Sequence, residues 1–256
     1  MVIPLPEGSY TVNASKEFVQ YDSDKDNLKD RAASLLVDIV PFLIATSQDL
    51  IVVDPGLGLL NSKGEYHIQE NIAMHGHSVD DVSIVLLSHL HKDHAGGISY
   101  GRENAFNLMF PKAKYYCQEK EMEYAFTKKN SPSFLPDRLH YLKRTSNLEL
   151  INGNGKIGND IQYEISGGHT PFHQVFLIES DQQKLFFGGD VLPQPSQLQR
   201  KFIAKYDYDG KAASAKRIEY GNRAFAENWI CLFFHSATIS MARVKEKNSK
   251  FLIEKV

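Results

Sequence analysis

The chain has little of what builds a secreted disulfide scaffold or binds a charged polymer. It carries two cysteines, Cys117 and Cys231, in 256 residues, too few for a disulfide framework. Both sit among apolar and aromatic neighbours, the setting of buried thiols rather than ligands. An excess of one charge is also missing. Lys and Arg number 29 against 31 Asp and Glu, a formal net charge of -2, which gives no general attraction to nucleic acid or an anionic membrane. No apolar run approaches the roughly 18 residues of a membrane span. The opening segment Met1 to Gly8 lacks a basic region, an apolar stretch and a small-residue cleavage site. No secretion signal is therefore expected, and a cytoplasmic location is. No glycine-rich turn opens a helix as a phosphate cradle does, so a nucleotide cofactor is not expected. Short-period repeats, low-complexity tracts and linkers are absent too. One domain over residues 1–256 is expected, with a core drawn from a hydrophobic content of 42%.

What is present is concentrated at strand ends. The apolar run Val82 to Leu87 leads into Ser88-His89-Leu90-His91-Lys92-Asp93-His94-Ala95-Gly96-Gly97. Neutral imidazole and carboxylate oxygen bind zinc and similar divalent ions. His89 and His91, two apart near a strand end, can point the same way. Asp93 and His94 follow on the next turn, and Gly96 and Gly97 let the backbone turn without side-chain clash. Four more runs end in a metal-capable residue: Leu50 to Asp54, Ile161 to His169, Phe186 to Asp190 and Trp229 to His235. Polar residues at strand ends beside glycine are typical of functional loops on a rigid scaffold.

Coarse patterning predicts strands at Gly8 to Val12, Leu35 to Thr46, Leu50 to Asp54, Val82 to Ser88, Ile161 to Ile165, Gln174 to Glu179, Lys184 to Gly188, Ile230 to Phe234 and Lys250 to Val256. Helices are predicted at Ile68 to Met74, Gln118 to Lys128, Pro136 to Arg144 and Ala212 to Glu227, the last capped by Asp209. The charged stretches Lys128-Lys129 and Arg243 to Lys250 read as solvated faces. An α/β fold follows.

The ordered set Val53-Asp54-Pro55-Gly56, Ser88 to His94, Gly168-His169-Thr170-Pro171, Gly189-Asp190 and His235 resembles the metallo-β-lactamase-fold hydrolases. Within them, Phe110 to Tyr116 and Asp207-Tyr208-Asp209 are similar to the branch holding methyl parathion hydrolase and the acyl-homoserine lactonases. The resemblance implies a four-layer αββα sandwich, two mixed sheets face to face with helices outside. It assigns His89, His91 and His169 to one metal ion, and Asp93, His94 and His235 to a second, with Asp190 bridging. The ions would be two divalent cations, zinc first, with manganese, iron or cobalt as alternatives. The activity implied is hydrolysis of a small ester, lactone or phosphotriester by a hydroxide bridging the two metals. Asp93 would also orient that hydroxide, and Asp54 would hold a ligand imidazole or the ligand loop; these two are the candidate catalytic carboxylates. A nuclease or a di-iron oxidoreductase on the same fold is the alternative. Near-neutral charge and compact length disfavour the first, and the lack of room for a flavin domain disfavours the second.

Other features carry less. His75-Gly76-His77 copies the His-x-His spacing with no Asp-His after it, and His173 reads as core or support for the site. The lactonase branch places a tyrosine shortly after the bridging aspartate. Here Asp190-Val191-Leu192-Pro193 has none, and Tyr206 or Tyr208 are the substitutes the chain offers. Phe172 stands where a glycine is common in the family. Phe106, Phe134, Leu135 and Leu192 are candidate pocket walls. A small-molecule substrate is expected as partner, with no nucleic acid or membrane, and the apolar connection Leu57 to Leu60 offers a homodimer face.

Overall fold

A computed structural model describes residues 1–102, 105–128 and 130–256. Lys129 of the Lys128-Lys129 pair lies outside the described residues. Alternation of side chains along short apolar strands gives each sheet two buried faces. In Leu50–Val53, Ile51 and Val53 face one cluster while Val52 faces another. The first sheet has six strands in the order Val2–Pro4, Phe42–Ala45, Leu50–Val53, Ile84–Leu86, Lys114–Gln118, Leu148–Ile151. Its last four strands run parallel. The second has seven, in chain order from Gly155–Ile157 to Lys250–Lys255, antiparallel except where Gln183–Phe187 pairs parallel with Ile230–Leu232.

The two sheets share a core of Phe42, Ile44, Ile51 and Leu86 from one and Phe176, Ile178, Phe187 and Leu232 from the other. Behind the first sheet, Val85, Tyr115 and Cys117 pack against Ile72, Met122 and Leu139 of the helices His67–Met74, Glu119–Thr127 and Pro136–Lys143. Behind the second, Val175, Phe186 and Cys231 pack against Tyr220 and Ala224 of helix Gly210–Ala226. Four layers, αββα, result. Asp209 caps that helix as expected, accepting from Lys211 N and Ala212 N at 3.1 and 3.0 Å. Both cysteines are buried free thiols. No helix among the described residues is long and apolar enough to cross a membrane.

Three expectations need correcting. Leu35 to Thr46 is not one strand. Leu35–Ile39 joins a separate sheet with Gly8–Val12 and Phe18–Tyr21, and Phe42–Ala45 joins the first sheet. The run is apolar apart from Asp38, but Pro41 lacks the N–H a ladder needs, and the chain changes sheets there. Most of Arg243 to Lys250 is the strand Met241–Lys247, in which Ala242 and Val244 are buried and Lys245 to Lys247 face solvent. Of Leu57 to Leu60, only Leu59 and Leu60 are exposed; Leu57 belongs to the core.

Glu7 is enclosed beneath the loop that follows Leu50–Val53. It accepts a hydrogen bond from Leu57 N at 2.7 Å, while its Oε1 has no partner among the described residues. Burial pushes its pKa from 4.5 up to about 8, against the pull of the N–H groups of Leu57 and Gly58. The fold thus binds this proton more tightly than the unfolded chain does. The stability it lends is complete below pH 4.5 and is lost as pH rises through about 8. Glu7→Gln should raise unfolding stability by about 1–3 kcal/mol near pH ~9 and by far less near pH ~5, as read from urea titrations at both pH values.

Candidate metal centre

Two pairs of parallel strands end at matched levels, Val53 beside Leu86 and Phe187 beside Leu232. The residues just beyond them, Asp54, Ser88 to His94, Asp190 and His235, therefore emerge at one end of the sandwich. His169 reaches the same place from the loop between Ile161–Ile165 and Gln174–Ser180. Ligands at the carboxyl ends of parallel strands suit open α/β sheets in general.

Close backbone packing makes this convergence tight. Gly97 N donates to Gly56 O at 2.9 Å. A Cβ on Gly96 or Gly97 would collide with the carbonyls of Leu57 and Pro55. These glycines serve close approach of two loops rather than the tight turn expected, since Gly96 has an ordinary helical φ of -63°. Gly189 has φ +50°, and a Cβ there would lie 2.6 Å from His173 Nε2 and 2.8 Å from Ser88 Oγ.

All seven predicted ligands meet. His91 Nδ1 lies 3.0 Å from His89 Nε2 and 3.0 Å from His169 Nε2. Tetrahedral nitrogens on one zinc stand roughly 3.3 Å apart, so three lone pairs at this spacing suit a single cation. Asp93 Oδ2 lies 3.7 Å from His94 Nε2 and 3.6 Å from His235 Nε2. Asp190 sits between the groups, its Oδ1 3.1 Å from His94 Nε2 and 3.2 Å from His235 Nε2, its Oδ2 3.2 Å from His169 Nε2. His94 Nε2 and Asp190 Oδ1 are buried and have no hydrogen-bond partner among the described residues. Buried polar atoms are rarely left so. An imidazole nitrogen, once it gives up its proton, and a carboxylate oxygen are the donor types a divalent cation takes, so the residues fit one.

Each predicted ligand that offers Nε2 is aimed by its other ring nitrogen. His94 Nδ1–H donates to Asp54 Oδ2 at 2.8 Å, and His89 Nδ1–H to Ser88 Oγ at 3.0 Å. Ser88 in turn donates its hydroxyl to Asp54 Oδ2 at 2.5 Å and its N–H to Asp54 Oδ1 at 2.7 Å. Asp54 thus holds two ligand rings and does not itself face the cavity; its φ of +46° brings the carboxylate inward. His169 Nδ1–H donates to Asp207 Oδ1 at 2.9 Å, and His235 Nδ1–H to Asp38 O at 2.7 Å. His173 supports from below: its Nε2 accepts from Asp190 N at 3.1 Å, and its Nδ1 bonds Ser166 Oγ at 2.7 Å.

Charge balance divides the cluster. Burial and the neighbouring rings hold His89 and His91 well below the usual imidazole range. Burial also opposes protonation of His94 and His235, but Asp190 beside them prevails and raises both. Burial pushes Asp190 up, yet His94, His235 and His169 outweigh it and keep the carboxylate charged. The neutral rings of His89 and His91 stand on one side, and the carboxylates draw positive charge to His94 and His235 on the other.

Residues not foreseen in the sequence complete the surroundings. Buried Arg217 donates from Nε to Val191 O at 2.5 Å, from Nη1 to Phe202 O at 2.7 Å and from Nη2 to Asp207 at 3.3 Å. It ties His169 to the loop after Asp190. Glu121 accepts from Thr170 Oγ1 at 2.7 Å, and burial pushes its pKa up to about 7 against that bond and the Leu90 N–H. It joins the two histidine loops.

A cavity of about 90 Å³ opens on His91, Asp93, His169, Asp190 and His235. Its walls are not the predicted ones. Phe106 packs on Tyr141 and Phe134 edge-on against His91, while Leu192 is core, and Leu135 is spent at the start of a helix. Val12, Phe18, Leu35 and Val37 of the three-stranded sheet form the wall instead. Tyr206 lines it; Tyr208 is 67% exposed and does not. Phe172 carries the Lys120 ammonium over its ring and lies outside the lining. His75 and His77 stand apart, His75 bonding Asn71 O at the end of its own helix.

The sequence model of the metallo-beta-lactamase superfamily matches residues 37–247, and the chain belongs to that superfamily. The N-acyl homoserine lactonase AiiA of Bacillus thuringiensis subsp. kurstaki is 26% identical over 164 residues, 55% of this chain and 58% of that protein. The chain thus spans under two thirds of the curated relative it matches. Among solved structures, AidC, a dizinc quorum-quenching lactonase in complex with a product, superposes with a TM-score of 0.76 at 19% identity, covering 100% of this chain and 94% of that one. A probable metal-dependent hydrolase from Staphylococcus aureus gives 0.79 at 18% identity, covering 100% and 96%. At these identities the superpositions show the fold.

Asp207→Asn keeps the side-chain shape but removes the charge behind His169. It should weaken zinc binding about tenfold, measured by competition with a chromogenic chelator; unchanged affinity would refute its role.

Proposed function

We propose that the chain is a metal-dependent hydrolase of small esters and lactones, with a dinuclear centre held by His89, His91, Asp93, His94, His169, Asp190 and His235. Zinc is the first candidate for both ions. The observation that carries this reading is the meeting of these side chains at one end of the sandwich, five of them lining a cavity with an apolar wall. Divalent cations there would supply a nucleophile from water near neutral pH and a Lewis acid for the substrate oxygen.

The chain's own residues do the rest. Asp93 is the carboxylate of the ligand set most open to the cavity, at 15% exposure against 10% for Asp190. It accepts the hydrogen bond that orients the attacking water. Burial, with Asp190 and Asp207 nearby, holds the Tyr206 pKa up at about 12. Its hydroxyl therefore stays protonated at neutral pH and serves as donor to the oxygen that gains charge. Val12, Phe18, Leu35 and Val37 seat the arm of the substrate that does not react and exclude water. The apolar wall of Val12, Phe18, Leu35 and Val37 favours a small molecule over a nucleic-acid strand needing an open basic track. The lactonase relatives support an ester or lactone bond over a phosphotriester.

Stripping metal with a chelator should abolish hydrolysis of an ester and lactone panel, and added zinc should restore it. Asp190→Ala should lose both bound metal and activity. Full hydrolysis by the stripped chain, or full metal content in that variant, would overturn the reading. Tyr206→Phe should lower kcat about 10- to 100-fold with metal content unchanged, as followed by steady-state kinetics and elemental analysis.

A further inference from the structure

Two lysines line the same cavity as the metal-capable residues, and each stands where local preference is against it. Lys16 lies at the tip of the hairpin between Gly8–Val12 and Phe18–Tyr21 with φ +57°. Glycine or asparagine adopts that conformation at least cost, and a long side chain gains nothing from it locally. The turn is nonetheless held firmly. Lys16 N donates to Asn13 O at 3.0 Å, and Asn13 Oδ1 accepts from Ser15 N at 3.0 Å and Ser15 Oγ at 2.6 Å. An outlier kept in place by its surroundings points toward use of its side chain. Lys92 is the first residue of the helix Lys92–Ala95, where an acid is favoured over a base. It stands between His91 and Asp93, with its backbone N–H anchored on Ser133 O at 2.7 Å.

Neither ammonium group is ion-paired: like several other lysines, Lys16 and Lys92 have no carboxylate within 4.0 Å among the described residues, but these two line the cavity. The acids nearest Lys92 are Asp93, which belongs to the ligand set, and Glu17, which is exposed. The Lys92 ammonium lies 5.6 Å from the centre of the Phe18 ring, itself part of the cavity wall. Both lysines are half-buried, so their field is less screened than that of a free surface lysine.

We infer that Lys16 and Lys92 select substrates whose non-reacting arm ends in an anionic oxygen group, a carboxylate or a phosphate. The inference rests on the hydrolase reading and narrows it: a short apolar chain crosses Val12, Phe18 and Val37, and its charged end meets the lysines. A neutral ester of the same length leaves both ammonium groups without a partner.

The test compares para-nitrophenyl butyrate with two esters that extend the same chain, mono-para-nitrophenyl glutarate and the para-nitrophenyl ester of γ-phosphonobutyrate. In the zinc-loaded protein at low salt, kcat/KM should favour an anionic ester by about tenfold, with the preference shrinking as salt rises. The better of the two anionic esters identifies carboxylate or phosphate. Lys16→Met and Lys92→Met should each cut the preference, and the double variant should bring it to about one. Metal-dependent cleavage of all three at equal kcat/KM would leave the hydrolase reading standing and sink this inference. A preference that persists in the double variant would sink it too, since the anion would then be held elsewhere. If no ester is cleaved, calorimetry with two unreactive amides decides the matter. γ-Acetamidobutyrate should bind about tenfold tighter than N-butylacetamide, and equal binding would overturn the inference.

Discussion

Carboxylates and imidazoles aimed at one small buried volume repel or go unsatisfied unless positive charge lies between them. That constraint governs the sandwich's active end. Asp190 is buried and reaches three histidines, and its Oδ1 finds no hydrogen bond among the described residues. A polar group in that position is costly to fold around unless a ligand repays it. The binding energy of a cation is in this sense part of the folding energy of the loops that hold it.

Those loops are aligned by hydrogen bonds that reach far along the chain. Asp54 orders His94 and, through Ser88, His89. The backbone of Asp38 orders His235, and Arg217 with Asp207 orders His169. Such contacts fix which ring nitrogen carries the proton and which offers its lone pair. Arg217 and Asp207 are a buried pair, and loss of either would leave the other charged and enclosed, a defect of about 3–5 kcal/mol. Positioning of the site and stability of the fold are therefore hard to alter separately on this side of the molecule.

How much of this could be read from the sequence follows from the range of each interaction. His89, His91, Asp93 and His94 crowd into six positions after an apolar run, and Asp190 and His235 each end a buried strand, so residue type and local context suffice to pick them out. The partners that aim them are remote: His169 lies 38 residues from Asp207, and His235 lies 197 from Asp38. A lone Asp207 in a loop, or an arginine on a helix, carries no local sign of such a role. The break at Pro41 is signalled by the proline itself and is outweighed in a pattern reading only by the apolar residues on either side, and the cavity wall was hidden because Phe18 and Leu35 sit in short, half-exposed strands. Tyr206 and Tyr208 are indistinguishable by position in the sequence and are separated only by which of them the loop turns inward.

The three-stranded sheet that walls the cavity has a further consequence. Val12, Lys16, Phe18 and Leu35 all precede residue 37, where the match to the superfamily begins. Part of the cavity wall thus comes from a stretch ahead of that match, while Val37, Lys92 and Tyr206 come from within it. The superfamily match covers the metal-capable residues, and a hairpin ahead of it adds to the wall above them. On such a plan the wall can vary through the hairpin while the strand ends beneath stay as they are.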